Sequence, residues 1–381
     1  MSERLLIQEP FRYECSLKKC ISERCIYVKV LLVGDDYIGS DLIESAFASW
    51  REKGCELVSY DWLLGSVEKL QHVNRILEEK GPEAIMPPAD LFTLIEDADI
   101  LIIQFLPLGR SLIDSAKKLK VVGILRAGYE NVDVDYLSSK GIMFFNNPGR
   151  NADAVSDYAI GMMLAEARNI ARGHMSLKQG EWRREYVNSS YIPDLPGRVV
   201  GIVGFGQIGQ LVARKLSGFE MRILACDPYV SNSVANSLNV QLTDLATLLK
   251  ESDFVTLHAR LTEENKHMIG ADELALMKPT AFLINTARSG LIDEKALYEA
   301  LRERKIGGAA LDVFDQEPIG KDYPFVTLDN CTVTPHIAGT TNDALVKAPY
   351  KLARELEKLL YGEEPKSWVN KGKVQLIKLN S

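Results

Sequence analysis

The chain has 381 residues, 46% of them hydrophobic, and a formal net charge of -7, which is too long for one ordinary core and predicts two domains. The acidic excess is spread without long like-charge blocks, which excludes the basic footprint of a nucleic-acid binder and the polybasic patch of a membrane-surface protein. No apolar run approaches a membrane span, and Glu3, Glu9 and Pro10 stand where a signal peptide needs an apolar segment, so a soluble, cytoplasmic protein is expected.

The first 26 residues form an extension in which Cys15, Cys20 and Cys25 recur every five residues. Zinc sites show closer cysteine pairs and four ligands, so free thiols are expected here and at Cys55, Cys226 and Cys331, with no metal. Apolar runs then fall at Val28–Val33, Glu56–Tyr60, Ile100–Phe105, Lys120–Leu125 and Ile142–Phe145, separated by helical stretches, the pattern of an open parallel sheet. Gly34-Asp35-Asp36-Tyr37-Ile38-Gly39 follows the first run and puts two carboxylates where a pyrophosphate would have to sit. This half is therefore not expected to bind a dinucleotide. Asn151–Arg172 reads as one linker helix, with Ala154, Tyr158, Met162 and Ala165 at helical spacing.

Val199–Val203 is a short apolar run of the kind buried on both faces of a parallel sheet, and it opens a dinucleotide-binding fingerprint. Gly204 permits the tight turn, Gly206 lets backbone approach the pyrophosphate, and Gly209 lets the following helix, Gln207–Leu216, pack close. After a second strand, Arg222–Cys226, comes Asp227, eighteen residues beyond Gly209. A carboxylate there accepts hydrogen bonds from ribose hydroxyls and repels a 2′-phosphate, which favours NAD over NADP.

Further strands are expected at Phe254–His258, Ala281–Thr286, Gly308–Phe314 and Thr332–Thr334, giving a six- or seven-stranded sheet. Open parallel sheets bind ligands at the carboxyl ends of their strands, where Arg288, Glu317 and His336 stand. An arginine after a strand is commonly a surface ion pair, and a glutamate in an acidic loop is commonly just solvated. Together, however, a guanidinium that grips a carboxylate and a histidine backed by a carboxylate are equipment for oxidising a 2-hydroxy acid. His72, His174 and His267 lack motif support. A last helix, Asp343–Leu360, precedes a tail with Trp368 and Val369. If the tail returns to the first half, residues 1–150 with 342–381 form a substrate domain and 151–341 a dinucleotide domain.

Gly201-Ile-Val-Gly-Phe-Gly-Gln-Ile-Gly209, Cys226-Asp-Pro-Tyr229, Leu283-Ile-Asn-Thr-Ala-Arg288, Ala310-Leu-Asp-Val-Phe314 with Glu317-Pro318, and Thr334-Pro-His-Ile-Ala-Gly339 together resemble the D-isomer-specific 2-hydroxyacid dehydrogenase family over nearly all of 120–345. The resemblance implies two Rossmann-like doubly wound α/β domains, a flavodoxin-like substrate domain and an NAD-binding one. It implies that Arg288 binds the substrate's carboxylate, that His336 is the general acid/base and that Glu317 orients His336. Gln207 and Ile208 would present backbone N–H groups to the pyrophosphate, His258 would line the adenine side, and Thr286, Ala287 and Asp312 would stand by the nicotinamide. Gly339 lies in the loop after the histidine.

Arg126-Ala-Gly-Tyr-Glu-Asn-Val-Asp133 matches the family's substrate-carboxylate loop, with Gly128 and Tyr129 as expected contacts. It is shorter than in the commoner members and carries Tyr129-Glu130 where small residues are frequent, which leaves the substrate open. The first hundred residues follow the family in fold only. A sugar acid or phosphorylated sugar acid such as 3-phosphoglycerate is the first expectation, glyoxylate or hydroxypyruvate reduction the second, and an NAD-sensing corepressor-like binding protein the alternative class. A formate-acting relative is disfavoured because Glu317 stands where glutamine is typical. Ending at Ser381, the chain is expected to be a short form without a regulatory domain and, like many relatives, to dimerise, with Asn151–Arg172 as a candidate contact.

Overall fold

The structure is a computed structural model that describes residues 28–377; Cys15, Cys20 and Cys25 lie outside the described residues. The chain divides into two compact units. Among the described residues, one comprises 28–123, Glu130–Phe145 and 353–377; the other comprises Ile124–Tyr129 and Asn146–Leu352. Both are Rossmann-like doubly wound α/β units, the fold class that the family resemblance implies, built on the parallel sheets that the apolar runs predict.

In the first unit, β1 (Val28–Asp35), β2 (Cys55–Trp62), β3 (Ile100–Ile103), β4 (Val121–Ile124) and β5 (Met143–Phe145) form one sheet in the order β2-β1-β3-β4-β5, the flavodoxin-like order. Val30, Leu31 and Leu32 of β1 are completely buried, as a strand covered on both faces requires. Each such side chain contributes about 1.5–3 kcal/mol by leaving water. The edge of β5 is closed by the chain's tail: Trp368 bridges to Phe145, and Val369 N donates to Phe144 O at 2.9 Å. Buried Asn370 Oδ1 accepts Phe144 N and Trp368 Nε1, each at 2.9 Å. An edge closed this way presents no free row of backbone groups.

In the second unit, β6 (Val199–Val203), β7 (Arg222–Cys226), β8 (Gln241–Leu242), β9 (Phe254–Leu257), β10 (Phe282–Asn285), β11 (Gly308–Leu311) and β12 (Cys331–Val333) are parallel, in the order β12-β11-β10-β9-β6-β7-β8. Strand order reverses between β6 and β9, where their register runs from Val200↔Phe254 to Val203↔Leu257. Ligands of open α/β sheets bind at such a reversal.

The expected single helix Asn151–Arg172 is two helices, Ala152–Ala167 and Ile170–Lys178. Asn169 breaks it by taking φ 57, a left-handed conformation that asparagine tolerates better than most residues. Arg172 Nη1 then bonds Glu166 O at 3.0 Å and Asn169 Oδ1 at 2.9 Å, satisfying a helix-end carbonyl. The predicted apolar face is also out of phase. Of its four residues only Met162 is fully buried, and the covered face runs through Ala152, Val155, Ala159, Met163 and Ala167. The cause is a broad contact, since this helix packs on β10, β11, β12 and the helix Gln207–Leu216. Glu166 is buried with it, paired with Arg172 and accepting from Thr332 Oγ1 at 2.7 Å.

Candidate active site

The turn between β6 and the helix Gln207–Leu216 is built around its glycines. Gly204 has φ +88, and an added Cβ would run into the backbone of Ala259 and His258. At Gly209 a Cβ would strike Gly204 O; only glycine lets the helix start this close to the strand. Around Gly206, by contrast, nothing lies within 4 Å of an added Cβ. Gln207 and Ile208 are the first helical residues, so their N–H groups have no intrahelical acceptor and suit an anion at the helix start.

Asp227 follows β7 and is built into the same turn: Oδ2 accepts Phe205 N at 2.7 Å and Oδ1 accepts Tyr229 N at 2.8 Å. Its remaining lone pairs suit ribose hydroxyls. One step past the register of β6, β9 and β10, His258 stands beside Gly204 and Thr286. His258 Nε2 pairs with Thr256 Oγ1 at 2.9 Å, while His258 Nδ1 and Thr286 Oγ1 are buried without protein partners. Burial lowers the His258 pKa to about 4, so the ring is neutral. An open seat before a helix N-terminus, a positioned carboxylate and two unpartnered polar atoms at neighbouring strand ends fit a dinucleotide.

The loop after β10 is shaped by Asn285, a fully buried amide at the strand's end. Its Oδ1 accepts Ala287 N at 3.0 Å and its Nδ2 donates to Arg288 O at 2.9 Å. Arg288 is exposed, with Nη1 bonded to Ala287 O at 2.7 Å. Ala287 is half-buried and Thr286 buried beside it.

The loop after β12 carries His336 at φ 52, a conformation costing a non-glycine residue about 1–3 kcal/mol. Asp312, completely buried, offsets that cost. Oδ1 accepts Thr334 Oγ1 at 2.6 Å and Ile337 N at 3.0 Å, and Oδ2 accepts Ala338 N at 2.8 Å. Asp312, expected beside the nicotinamide, thus spends both oxygens clamping the histidine loop on either side. Tyr158 also hydrogen-bonds Thr334, and burial raises its hydroxyl's pKa. Gly339 closes the loop, where an added Cβ would strike the Asn151 side chain.

His336 Nδ1 lies 2.8 Å from Glu317 Oε2, and Glu317 Oε1 accepts Phe314 N at 3.0 Å. A carboxylate only accepts, so Nδ1 carries the proton and Nε2 is the free nitrogen. The hydrogen bond to Glu317 raises the His336 pKa; burial opposes it, the Glu317 and Asp312 charges reinforce it, and Arg288 opposes it. For Glu317, burial pushes upward but is outweighed by the His336 bond, the Phe314 N–H and the charges of His336 and Arg288, so its pKa is lowered.

The structure therefore brings Arg288, Glu317 and His336 into one electrostatic cluster, in the unit that holds the glycine turn. Gly128 and Tyr129 sit on another loop, after β4, where Asn146 Nδ2 bonds Ala127 O at 2.7 Å and Asn147 N bonds Arg126 O at 2.9 Å. Sequence reading missed Asn285 and Thr334, although a polar residue ending an apolar strand run is the signal both give. Among the described residues, no helix is long and apolar enough to cross a membrane, and no cluster of three or more His, Cys, Asp or Glu is placed to hold a metal ion.

Comparison with known proteins agrees with this architecture. A family model described as the NAD-binding domain of D-isomer specific 2-hydroxyacid dehydrogenases matches residues 160–338. A D-3-phosphoglycerate dehydrogenase of Methanocaldococcus jannaschii is 42% identical over 310 residues, 80% of this chain but 58% of that protein. A glyoxylate reductase of Korarchaeum cryptofilum is 38% identical over 284 residues, 74% of this chain and 86% of the relative. The crystal structure of the TT0316 protein of Thermus thermophilus superposes with a TM-score of 0.67 at 31% identity, covering 90% of this chain and all of that one. The chain belongs to the D-isomer specific 2-hydroxyacid dehydrogenase family and carries its NAD-binding domain.

Proposed function

We propose that this protein is an NAD-dependent oxidoreductase interconverting a 2-hydroxy acid and its 2-keto acid. Its first substrate candidate is a sugar acid or phosphorylated sugar acid such as 3-phosphoglycerate; glyoxylate and hydroxypyruvate come next. The observation that carries this reading is the 2.8 Å His336–Glu317 pair under the charge of Arg288. Similarity to a phosphoglycerate dehydrogenase at 42% identity and to a glyoxylate reductase at 38% supports that order.

NAD, when bound at the glycine turn, supplies or accepts the hydride at the substrate's C2. Arg288 pairs with the substrate's carboxylate and fixes its orientation. In reduction, His336 gives the Nε2 proton to the carbonyl oxygen; in oxidation, neutral Nε2 takes the hydroxyl proton. Glu317 holds Nδ1–H and stabilises the imidazolium, keeping it charged to higher pH than a free histidine. Reduction therefore declines as pH rises through that raised pKa, and oxidation declines as pH falls through it. The same reading has Gly128 and Tyr129 donate backbone N–H groups to substrate and assigns residues 1–150 with 342–381 to the substrate domain.

A cytoplasmic homodimer completes the proposal. The contact expected on Asn151–Arg172 would extend into the helix Ile170–Lys178 and the loop after it. There Ile170, Met175 and Leu177 are 55–58% exposed and Trp182 82%, an apolar surface suited to a second copy.

A panel of 2-keto acids assayed with NADH and then NADPH tests the substrate and cofactor. His336→Ala is expected to lower turnover by about 10²- to 10⁴-fold while NADH binds as before. Full retained turnover removes the assignment, and NADH binding without turnover of any keto acid favours the corepressor class.

A further inference from the structure

Glu294 opens the helix Glu294–Arg302 beside Asp293, and two acids at a helix start ordinarily serve the helix itself. Here only Asp293 does so, its Oδ1 accepting Ala296 N at 3.0 Å. Glu294 is half-buried and turns away from its own helix. Its Oε1 accepts Asp315 N at 2.7 Å, and its Oε2 accepts the Tyr323 hydroxyl. The Tyr323 ring packs edge-on against Phe314, centroids 5.6 Å apart, and Phe314 N is the donor that holds Glu317 Oε1.

The turn carrying Glu317 is thus gripped at Asp315 by Glu294 and at the Phe314 ring by Tyr323. Glu294 also lies six residues beyond Arg288 in the chain, so one carboxylate ties the segment after β10 to the turn after β11. We propose that Glu294 is a positioning residue for the candidate catalytic pair: through Asp315 and Tyr323 it fixes the Glu317 carboxylate against His336 Nδ1. The inference rests on the functional reading above for its kinetic consequence, but its structural content is independent of it.

Removing the carboxylate leaves the Asp315 N–H and the Tyr323 hydroxyl without their acceptor, and the Glu317 turn loosens. The hydrogen bond most exposed to that loosening is Glu317–His336, the first determinant of the imidazole's titration. Groups facing Glu294 are Tyr323, Asp315 and Glu317; those facing His336 are Glu317, Arg288 and Asp312. Glutamine at 294 keeps an oxygen for Asp315 N and an amide for the Tyr323 oxygen, whereas alanine keeps neither.

The test compares the full chain with Glu294→Ala, Glu294→Gln and Tyr323→Phe, reading the His336 pKa by NMR, the pH profile of kcat/KM for a 2-keto acid the unaltered protein reduces, and NADH affinity. Glu294→Ala is expected to lower the His336 pKa by about one unit and kcat/KM by about tenfold or more, with NADH affinity held within about twofold. Glu294→Gln should restore most of both losses and Tyr323→Phe should fall between. A folded Glu294→Ala protein whose His336 titrates unchanged overturns the inference, even if its melting temperature drops. Should Glu294→Ala fail to fold, an unshifted His336 pKa in Tyr323→Phe overturns it instead. If the unaltered protein reduces no 2-keto acid, the functional reading fails while the NMR comparison still decides the role of Glu294.

Discussion

Two glycine-bearing turns of this protein each lead from a buried strand into a helix, and they fill the helix start differently. Gly34–Gly39 runs from the end of the buried strand β1 to the helix Ser40–Phe47; Gly204–Gly209 follows β6 and opens the helix Gln207–Leu216. In the second turn the space before the helix start is open at Gly206. In the first it is filled from within. Asp61 Oδ1 accepts Ser40 N at 2.8 Å, Asp35 Oδ1 accepts Tyr37 N at 2.9 Å and Ile38 N at 3.1 Å, and Asp36 takes Leu64 N at 2.8 Å and Gly65 N at 3.0 Å. A helix N-terminus offers its N–H groups to whichever anion arrives. The difference between the two turns is therefore whether a side chain already occupies the helix start.

The strongest way to break the contrast is to give the second turn what the first one has. Gly206→Asp places a carboxylate in an open seat without a steric clash, and NADH affinity is expected to fall by about 100-fold or more while the melting temperature stays within a few degrees. Isothermal titration with unchanged affinity would falsify the proposed pyrophosphate position. A smaller effect is expected from Asp227→Ala, because that side chain both holds Phe205 N and offers its free lone pairs to ribose. Binding of NADH should weaken about tenfold and the preference over NADPH should narrow. A variant that keeps the full preference would show that some other group excludes the 2′-phosphate.

Glycine spacing and residue type made the second turn legible, along with the strand ends at which Arg288, Glu317 and His336 stand. Both parallel sheets were legible too, since a strand buried on two faces must be apolar throughout. The rest depended on contacts between residues distant in sequence. Asp61 reaches a helix start that begins twenty-one residues earlier, Asp312 clamps a loop twenty-five residues on, and Asn370 satisfies β5 from far down the chain. Periodicity also missed the break at Asn169, because asparagine permits the left-handed turn without requiring it, and spacing alone cannot say where the helix uses it. The two carboxylates after β1 were visible, but their partners were not.

Those partners sharpen the reason for expecting no pyrophosphate at the first turn. Burial raises the Asp35 pKa to about 6, against the backbone N–H groups of Ile38, Tyr37 and Phe105, with the Asp36 charge adding to the rise. Between its ordinary value of 3.8 and about 6, the native state holds a proton that the unfolded chain releases, so stability falls as pH rises through that window and stays lower above it. Asp35→Asn keeps an oxygen for the Tyr37 and Ile38 N–H groups but cannot ionise, and should flatten the decline by a few degrees of melting temperature. Identical pH slopes for the two proteins would mean that Asp35 ionises as easily in the fold as outside it. A flattened slope carries a further consequence: below pH 6 Asp35 is largely neutral, so its charge cannot be what bars a pyrophosphate there. The expected exclusion of a pyrophosphate would then rest on occupancy, with the Asp61 carboxylate already seated on the first N–H of the helix.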